Sequence, residues 1–187
     1  CTRCFSHAQK GGPALRLLIL GGSGMLGHQL SLSLQTKHQV WVTLRQPVAD
    51  YASHVIFDPS TSIQVRDITD LDVLNRTLEK AKPEAVINCV GIIKQLNKST
   101  EDTRIRRVNA EFPHQLAKEC EKLGTRLIHF STDCVFAGSK GNYLEEDPAD
   151  ATDIYGKTKH LGEVTDRHCV TIRSSVIGHE IDSNLSL

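Results

Sequence analysis

The chain has 187 residues, a length that suits one domain with its own apolar core. Apolar residues make up 39% and charged residues 24% of it, and 22 basic residues balance 22 acidic ones. A neutral chain gives no electrostatic reason to expect nucleic acid or an anionic membrane as a partner, and no apolar run reaches the roughly 20 residues of a membrane span.

Apolar runs alternate with helical patterns along the chain. Residues 1–13, which end in KGGP, are expected to be a flexible tail. Strands are then predicted at 15–20, 39–44, 63–68, 85–90, 126–132 and 169–175, and helices at 25–37, 69–82, 103–124 and 153–167. Thr69 is the expected N-cap of the second helix. Because the strands are continuous apolar runs, both of their faces should be covered, which predicts an α/β fold with a doubly wound parallel sheet.

The first strand leads into a glycine turn, LLILGGSGMLG, with Gly21, Gly24 and Gly27 at GxxGxxG spacing. A tight turn needs the backbone freedom of glycine, and a pyrophosphate must approach bare backbone. The N-terminus of the following helix offers unpaired N–H groups and a partial positive charge. The turn therefore favours dinucleotide binding over a plain strand–helix connection. The cofactor-binding residues expected there are Gly21, Ser23, Gly24, Met25, Leu26 and Gly27.

The end of the second strand bears on which dinucleotide binds. An acidic residue there accepts from the 2′-hydroxyl of NAD, whereas an arginine suits the 2′-phosphate of NADP. Arg45 follows this strand and no acid appears before Asp50, which favours NADP(H) over NAD(H); a solvated surface arginine is the alternative. Asp67, followed by Ile68, is expected to accept from the adenine amino group or to cap the next helix.

Tyr155 and Lys159 stand four residues apart in DIYGKTKHLGE, so on a helix they share one face. A tyrosine has an ordinary pKa of about 10, and a nearby ammonium is expected to lower that pKa. Lys159 could also hold the ribose of a nicotinamide cofactor. In a reduction, hydride would reach the carbonyl carbon while Tyr155 gives a proton to the oxygen. An exposed pair on a surface helix is the alternative.

Five segments taken together carry a family resemblance. They are GGSGMLG, INCVG, RRVNAEFP, STDCVFAGSKGNYLEED and YGKTKHLGE. Together they resemble the extended short-chain dehydrogenase/reductase superfamily, and within it the dTDP-4-dehydrorhamnose reductases and related nucleotide-sugar reductases. The likeness runs from about Leu15 to Gly178. It implies a Rossmann fold, a nicotinamide cofactor and a nucleotide-sugar substrate, and it allows a homodimer.

The resemblance also implies roles for individual residues. The catalytic set it implies is Thr132, Tyr155 and Lys159. The turn that passes the cofactor corresponds to Cys89, Val90 and Gly91, and Asn109 matches a helix position near the active site. The expected substrate-binding residues are Lys94, Ser131 and Thr132, with Gln95 beside them. For Lys94 and Gln95 an ordinary solvated loop is an equal alternative.

The chain departs from the family pattern in two respects. Dehydratase relatives carry a glutamate where this chain has Cys134, so simple reduction is favoured over removal of water. Cys134 is expected to pack rather than to act as a nucleophile. Family members also continue well beyond the sixth strand, so residues 14–187 are expected to be an NAD(P)-binding Rossmann domain whose substrate-binding region is largely missing.

Six cysteines are scattered along the chain, at Cys1, Cys4, Cys89, Cys120, Cys134 and Cys169. Cys89 and Cys169 lie in apolar runs, which favours reduced thiols in an intracellular, cytoplasmic protein. The single CxxC at the N-terminus has no second ligand pair at the spacing of a zinc site, so no metal is expected.

Three functions stay open at this point. The first is an NADPH-dependent reductase of a keto nucleotide-sugar. The second is a nucleotide-sugar epimerase that retains its cofactor, against which Arg45 weighs because such enzymes usually keep NAD. The third is a non-catalytic NADP-binding regulatory subunit, as in the methionine adenosyltransferase β subunit, which resembles the same reductases.

Overall fold

The computed structural model describes residues 12–54, 56–93, 99–178 and 181. The N-terminal Cys1 and Cys4, and the expected substrate-side residues Lys94 and Gln95, lie outside the described residues. The predictions made for them therefore stay predictions.

In the part of the chain that the structure describes, six parallel strands form one sheet in the order β3-β2-β1-β4-β5-β6. Their bounds are Arg16–Leu20 (β1), Gln39–Leu44 (β2), Ser62–Gln64 (β3), Ala85–Asn88 (β4), Arg126–Ser131 (β5) and Cys169–Arg173 (β6). The chain starts at the centre, runs to one edge and then crosses back to build the other half, which is the doubly wound order. The predicted Rossmann-type sheet is confirmed, and its topological switch point lies between β1 and β4.

Within the described residues, five α-helices accompany the sheet: Met25–Leu34 (α1), Leu71–Ala81 (α2), Ser99–Arg106 (α3), Phe112–Lys122 (α4) and Ile154–Leu161 (α5). Two apolar clusters form the core. One joins alternate strand residues such as Leu18 and Leu127 to α2 and α4, and the other joins residues such as Ile19 to α1. Because successive strand residues point to opposite faces, helices cover both faces of the sheet. No helix in the described part of the chain is long and apolar enough to span a bilayer.

The connection between β3 and α2 differs from the prediction. β3 ends at Gln64, so Asp67 lies in a loop and not at a strand end. The N-cap is Asp70, whose carboxylate accepts from the backbone N–H of Asp72 at 2.9 Å and of Val73 at 3.1 Å. Thr69 instead donates its hydroxyl to Asp67. Aspartate outranks threonine as an N-cap because its carboxylate is the better acceptor for these N–H groups.

The single long helix predicted over 103–124 is divided by a π-helical turn, Arg107–Glu111, between α3 and α4. Pro113 supplies a physical cause. It has no N–H to bond the carbonyl of Asn109 four residues earlier, so the α-helical pattern cannot run through that point. The N–H of Phe112 bonds instead to the carbonyl of Arg107, five residues back. The Asn109 carbonyl is thereby left free of the α-helical ladder.

Two other elements near the C-terminus also differ from expectation. α5 ends at Leu161, six residues before the predicted end at 167, with Gly162 as its C-cap. β6 is an edge strand on which Val170 is 54% exposed, so the prediction that every strand is covered on both faces is wrong for β6.

Candidate active site

A cleft of about 650 Å³ opens at the carboxyl ends of the central strands. This is the switch point, where open α/β sheets bind their ligands, and the volume is within the range of cofactor sites. The predicted cofactor-binding residues that line it are Gly21, Ser23, Gly24, Arg45, Asp67, Ile68, Cys89, Val90 and Gly91. Met25, Leu26, Gly27, Tyr155 and Lys159 were also predicted for the cofactor but do not line this cleft.

The glycine turn is held to β2 by its own backbone. Gly21, at φ +82°, donates its N–H to the Thr43 hydroxyl at 3.0 Å, and Gly22 donates to the Thr43 carbonyl at 2.9 Å. A Cβ on Gly27 would lie 2.9 Å from the carbonyl carbon of Gly21 and would overlap its oxygen. Gly27 therefore packs α1 against the turn, while the uncapped first turn of α1 leaves backbone N–H groups suited to a phosphate.

Four arginines line the cleft, of which sequence reasoning singled out only Arg45. The other three are Arg66, Arg104 and Arg107. Arg107 lies 3.7 Å from the Asp67 carboxylate. Although the chain is neutral as a whole, this concentration of positive charge in one concave site favours an anionic ligand.

Asp67 lines the cleft as an ionised carboxylate. The hydrogen bond from Thr69 holds its pKa below the ordinary value, and the positive charges of Arg107 and Arg104 act in the same direction. Its Oδ1 accepts both the N–H and the hydroxyl of Thr69, at 2.9 and 2.6 Å. Of its two expected roles, capping belongs to Asp70 instead, and the contact with adenine stays a prediction.

The two hydroxyls at the end of β5 that were candidates to bind the substrate oxygen have different partners. Ser131 is buried, and its hydroxyl donates to Glu163 at 2.8 Å. The Thr132 hydroxyl accepts from the N–H of Cys134 at 3.2 Å and donates to Asp133 at 3.1 Å, and Thr132 lies close enough to Tyr155 to lower the pKa of the phenol. The structure therefore brings Thr132, and not Ser131, together with the tyrosine.

The helix that carries Tyr155 and Lys159 begins at a well-defined cap. The Asp153 carboxylate accepts from the N–H groups of Tyr155 and Gly156 at 3.0 and 3.1 Å. Gly156 packs against the turn after β5, since a Cβ there would lie 2.5 Å from the Cβ of Ala151 and would overlap the Cys134 carbonyl oxygen. This contact sets α5 against the turn that follows Thr132.

Asn109 in the π-helical turn connects α5 to the loop after β4. Its side-chain amide accepts from the N–H of Ile92 and donates to the carbonyl of Ile92, both at 2.9 Å. The same amide donates to Thr158 of α5 at 3.5 Å. Asn109 thus fixes the segment that includes Gly91 beside the helix, which agrees with its predicted position near the active site.

The pKa of Tyr155 is raised above its ordinary value of 10.0 because the phenol is largely buried, although the neighbouring Thr132 acts to lower it. The prediction that the neighbouring ammonium lowers this pKa is therefore wrong for this structure, where burial dominates. The phenol is protonated at neutral pH, which is the state a proton donor requires.

Lys159 is only 5% exposed, and its ammonium donates to the Phe130 carbonyl at 2.6 Å. Burial lowers its pKa from 10.5 to about 8, although the negative charge of Glu163 acts in the opposite direction. The Cys89 side chain is partly buried, and this burial raises the pKa of its thiol to about 12. Phe130, which accepts from Lys159, lies on β5 next to β4, the strand that leads into Cys89 at the cleft.

Replacing Lys159 by methionine is expected to stabilise the fold at neutral pH. The folded-state pKa of about 8 lies below the ordinary 10.5, so the buried charge destabilises the fold fully below pH 8. That penalty is relieved as the pH rises from about 8 to 10.5. Chemical denaturation at pH 7 should show a gain of about 1–3 kcal/mol, allowing for the lost hydrogen bond. The gain should vanish by about pH 10.5.

Lys157 provides the control, because it is an exposed lysine on the same helix. Lys157→Met should change the free energy of unfolding little at either pH. A Lys159→Met variant that is less stable than the wild type, by the same amount at both pH values, would contradict the expectation.

Cys134 is exposed, so the expectation that it packs is wrong, while the expectation that it is not a nucleophile stays a prediction. Its thiol donates to the Asp133 carboxylate at 3.8 Å, and Asp133 also accepts from Ser175. Both residues line a second cavity of about 870 Å³ that lies on the β6 side and is also lined by Phe136 and Arg173. Sequence reasoning did not find this cavity, because its walls come from three separate segments.

Comparison with known proteins supports this assignment of the fold. The family described as "RmlD substrate binding domain" matches residues 15–184. A dTDP-4-dehydrorhamnose reductase of Streptomyces griseus is 32% identical over 152 residues, which cover 81% of this chain and 44% of that protein. The methionine adenosyltransferase 2 subunit beta of Rattus norvegicus is 27% identical over 153 residues, which cover 81% of this chain and 42% of that protein.

Among solved structures, the dTDP-4-dehydrorhamnose reductase of Bacillus anthracis in complex with NADP matches with a TM-score of 0.69. It is 23% identical, and the match covers 88% of this chain and 55% of that one. The chain thus spans about half the length of these relatives. From its sequence, its sheet and its cleft, the chain belongs to the RmlD substrate binding domain family, whose relatives include Rossmann-type nucleotide-sugar reductases.

Proposed function

We propose that this chain contributes the cofactor-binding and proton-donating part of an NADPH-dependent reductase of a keto nucleotide-sugar, as in dTDP-4-dehydrorhamnose reductases. The observation that carries the proposal is one continuous arrangement of the site. The cleft is lined by the glycine turn, Arg45 and Cys89, and Lys159 of α5 donates to a carbonyl of β5, the strand next to β4. Thr132 lies beside Tyr155, the second residue of α5.

The residues of the cleft fit a phosphorylated dinucleotide. Gly21 and Gly24 present bare backbone, the start of α1 offers N–H groups, and arginines supply positive charge. Arg45 follows β2, where an arginine suits a 2′-phosphate, so NADP(H) is favoured over NAD(H). The nicotinamide would supply hydride chemistry beside the Cys89–Gly91 segment.

The protein side of the reaction is proton transfer and orientation. Tyr155 is protonated at neutral pH, so it can give its proton to the carbonyl oxygen as hydride arrives at the carbon. The Thr132 hydroxyl would hold that oxygen next to the phenol. Lys159 would bind the ribose hydroxyls and, once charged, would stabilise the phenolate that remains.

Arg45→Glu is expected to weaken NADPH binding by about 10–100-fold, because a charge-assisted hydrogen bond to the phosphate is replaced by repulsion. NADH, which lacks that phosphate, should bind about as well as before. Nucleotide fluorescence titration of both cofactors measures the two dissociation constants and their ratio.

The matched control is Arg126→Glu, which changes an exposed arginine at the opposite end of the sheet, where β5 begins. It should leave both dissociation constants unchanged. An unchanged ratio of NADPH to NADH affinity in Arg45→Glu would remove this residue from the cofactor site.

The proposed function itself is tested by turnover. The intact protein is incubated with NADPH and a panel of keto nucleotide-sugars, and loss of nicotinamide absorbance is followed. Reduction of one of them supports the proposal. Tight NADPH binding without turnover on any keto-sugar would overturn it in favour of a regulatory subunit, a role to which the likeness to methionine adenosyltransferase 2 subunit beta points. Interconversion of two sugars without net cofactor loss would indicate an epimerase.

A further inference from the structure

Glu163 lies directly after α5 and joins three elements through one carboxylate. Its side chain is only 10% exposed. Its Oε1 accepts from the Ser131 hydroxyl at 2.8 Å and from Nε of Arg173 at 2.7 Å. Its Oε2 accepts from Nη2 of Arg173 at 2.7 Å, and Nδ1 of His160 lies 3.0 Å away. Every acceptor position of this carboxylate is thus used within the protein.

The three elements joined in this way are those that carry the candidate catalytic residues or border them. Ser131 is the last residue of β5 and immediately precedes Thr132. Glu163 lies about one helical turn beyond Lys159, and its negative charge raises the pKa of Lys159. Arg173 ends β6, the exposed edge strand, so its bidentate ion pair with Glu163 connects that edge to α5.

The chemistry of the contact supports a fixed geometry. Burial raises the pKa of Glu163, but the hydrogen bonds from Arg173, Ser131 and His160 outweigh burial and hold that pKa below its ordinary value. The carboxylate is therefore ionised at neutral pH and pairs with a guanidinium in the planar, two-bond arrangement that gives the strongest ion pairs. Such a pair constrains both partners far more than a single hydrogen bond would.

We infer that Glu163 is a positioning residue, which holds the strand end that carries Thr132 in register with the helix that carries Tyr155. The inference rests on the proposed function, in which those two hydroxyls act on one substrate oxygen. Glu163 does not line the cofactor cleft, so its contribution concerns turnover and not cofactor affinity.

The test compares Ser131→Ala, which cuts only the link to β5, with Glu163→Ala, which removes the whole connection. Misplaced catalytic groups cost up to about 100-fold in rate, so each variant is expected to lower kcat by about 10–100-fold while NADPH affinity stays within about twofold. The double variant should be no slower than Glu163→Ala alone, because both substitutions break the same connection.

Two results would overturn the inference. An increase in KM for the keto-sugar with kcat unchanged would mean that Ser131 binds substrate itself, as the sequence suggested. Multiplicative losses in the double variant would mean that the two residues act independently. If Glu163→Ala does not fold, Ser131→Ala decides alone, since it leaves the ion pair intact. Glu119→Ala, which removes a buried glutamate paired with Lys122 on α4, should leave kcat unchanged.

A measurement without substrate separates this inference from the proposed function. If the wild type reduces no keto-sugar, the proposed function fails, but the position of Tyr155 can still be followed by its Cζ signal in ¹³C-tyrosine NMR. That signal is assigned by its loss in Tyr155→Phe. Ser131→Ala is expected to shift it, because the position of Thr132 beside the phenol changes, while Glu119→Ala leaves it in place. An unshifted signal in Ser131→Ala would overturn the inference.

Discussion

Tyr155→Phe is expected to lower turnover of the keto nucleotide-sugar by about 10²–10⁴-fold, the range over which a positioned general acid accelerates proton transfer. The variant removes one oxygen and keeps the ring, so the packing of α5 against the rest of the domain should persist. Tyr155 does not line the cleft in which the cofactor is proposed to bind. NADPH affinity should therefore stay close to that of the wild type, which separates loss of chemistry from loss of binding.

Tyr143→Phe is the matched control, since it deletes the same atom from another of the three tyrosines. The Tyr143 hydroxyl accepts from the N–H of Lys140 at 3.2 Å and contacts Asp150 at 3.4 Å, within the loop before α5. Its loss should leave kcat within about threefold, because the hydroxyl supports a surface loop with hydrogen bonds of about 1 kcal/mol or less. Tyr155→Phe with wild-type turnover would exclude the phenol as the proton donor and would require another acid.

The sheet and the glycine turn were predictable because their signals are local. An apolar strand, three spaced glycines and a helix follow one another within residues 15–37, and each element is favoured by its own residues. The same is true of α5, where Tyr155 and Lys159 lie on one helix face by spacing alone. These parts of the site required no knowledge of what packs against them.

The rest of the site depends on contacts between distant segments. Arg104 and Arg107 reach the cleft from the helical region after β4, so their sequence position gave no indication that they line it. The Ser131 hydroxyl is bonded to Glu163, 32 residues later, which no spacing rule predicts. The pKa of Tyr155 depends on how deeply the fold buries the phenol, and the sequence indicated only its charged neighbour.

Gly162 is a glycine at a helix end whose backbone conformation does not itself require glycine. A glycine at the end of a helix usually supplies a left-handed conformation, but Gly162 has φ −90° and ψ 0°, which alanine also adopts. The reason for glycine is steric. A Cβ there would lie 3.0 Å from the carbonyl carbon of Asn109, would overlap its oxygen, and would lie 3.2 Å from Pro113. The π-helical turn presents that carbonyl to α5, and backbone atoms cannot rotate away.

Gly162→Ala is therefore expected to destabilise the domain by about 3 kcal/mol, at the upper end of the cost of overpacking, because relief requires α5 and the π-helical turn to separate. For a chain of this size, that loss corresponds to a fall in Tm of about 6–12 °C. The same separation would displace Lys159 and Glu163, so turnover should fall as well. Thermal denaturation followed by circular dichroism measures the stability change directly.

Gly24→Ala is the matched comparison, because it is expected to lower cofactor affinity and to leave the stability of the fold unchanged. Its φ of −70° suits alanine, and a Cβ there meets only the Gly21 oxygen, at 3.4 Å, so the Tm should stay near that of the wild type. The new methyl group would instead occupy the backbone surface that a pyrophosphate must approach, and NADPH affinity should fall by about 10-fold or more. A Gly162→Ala variant that melts at the wild-type temperature would show that α5 can move away from Asn109 at little cost. In that case the close contact of the two backbones would not be what holds the tyrosine and lysine in place.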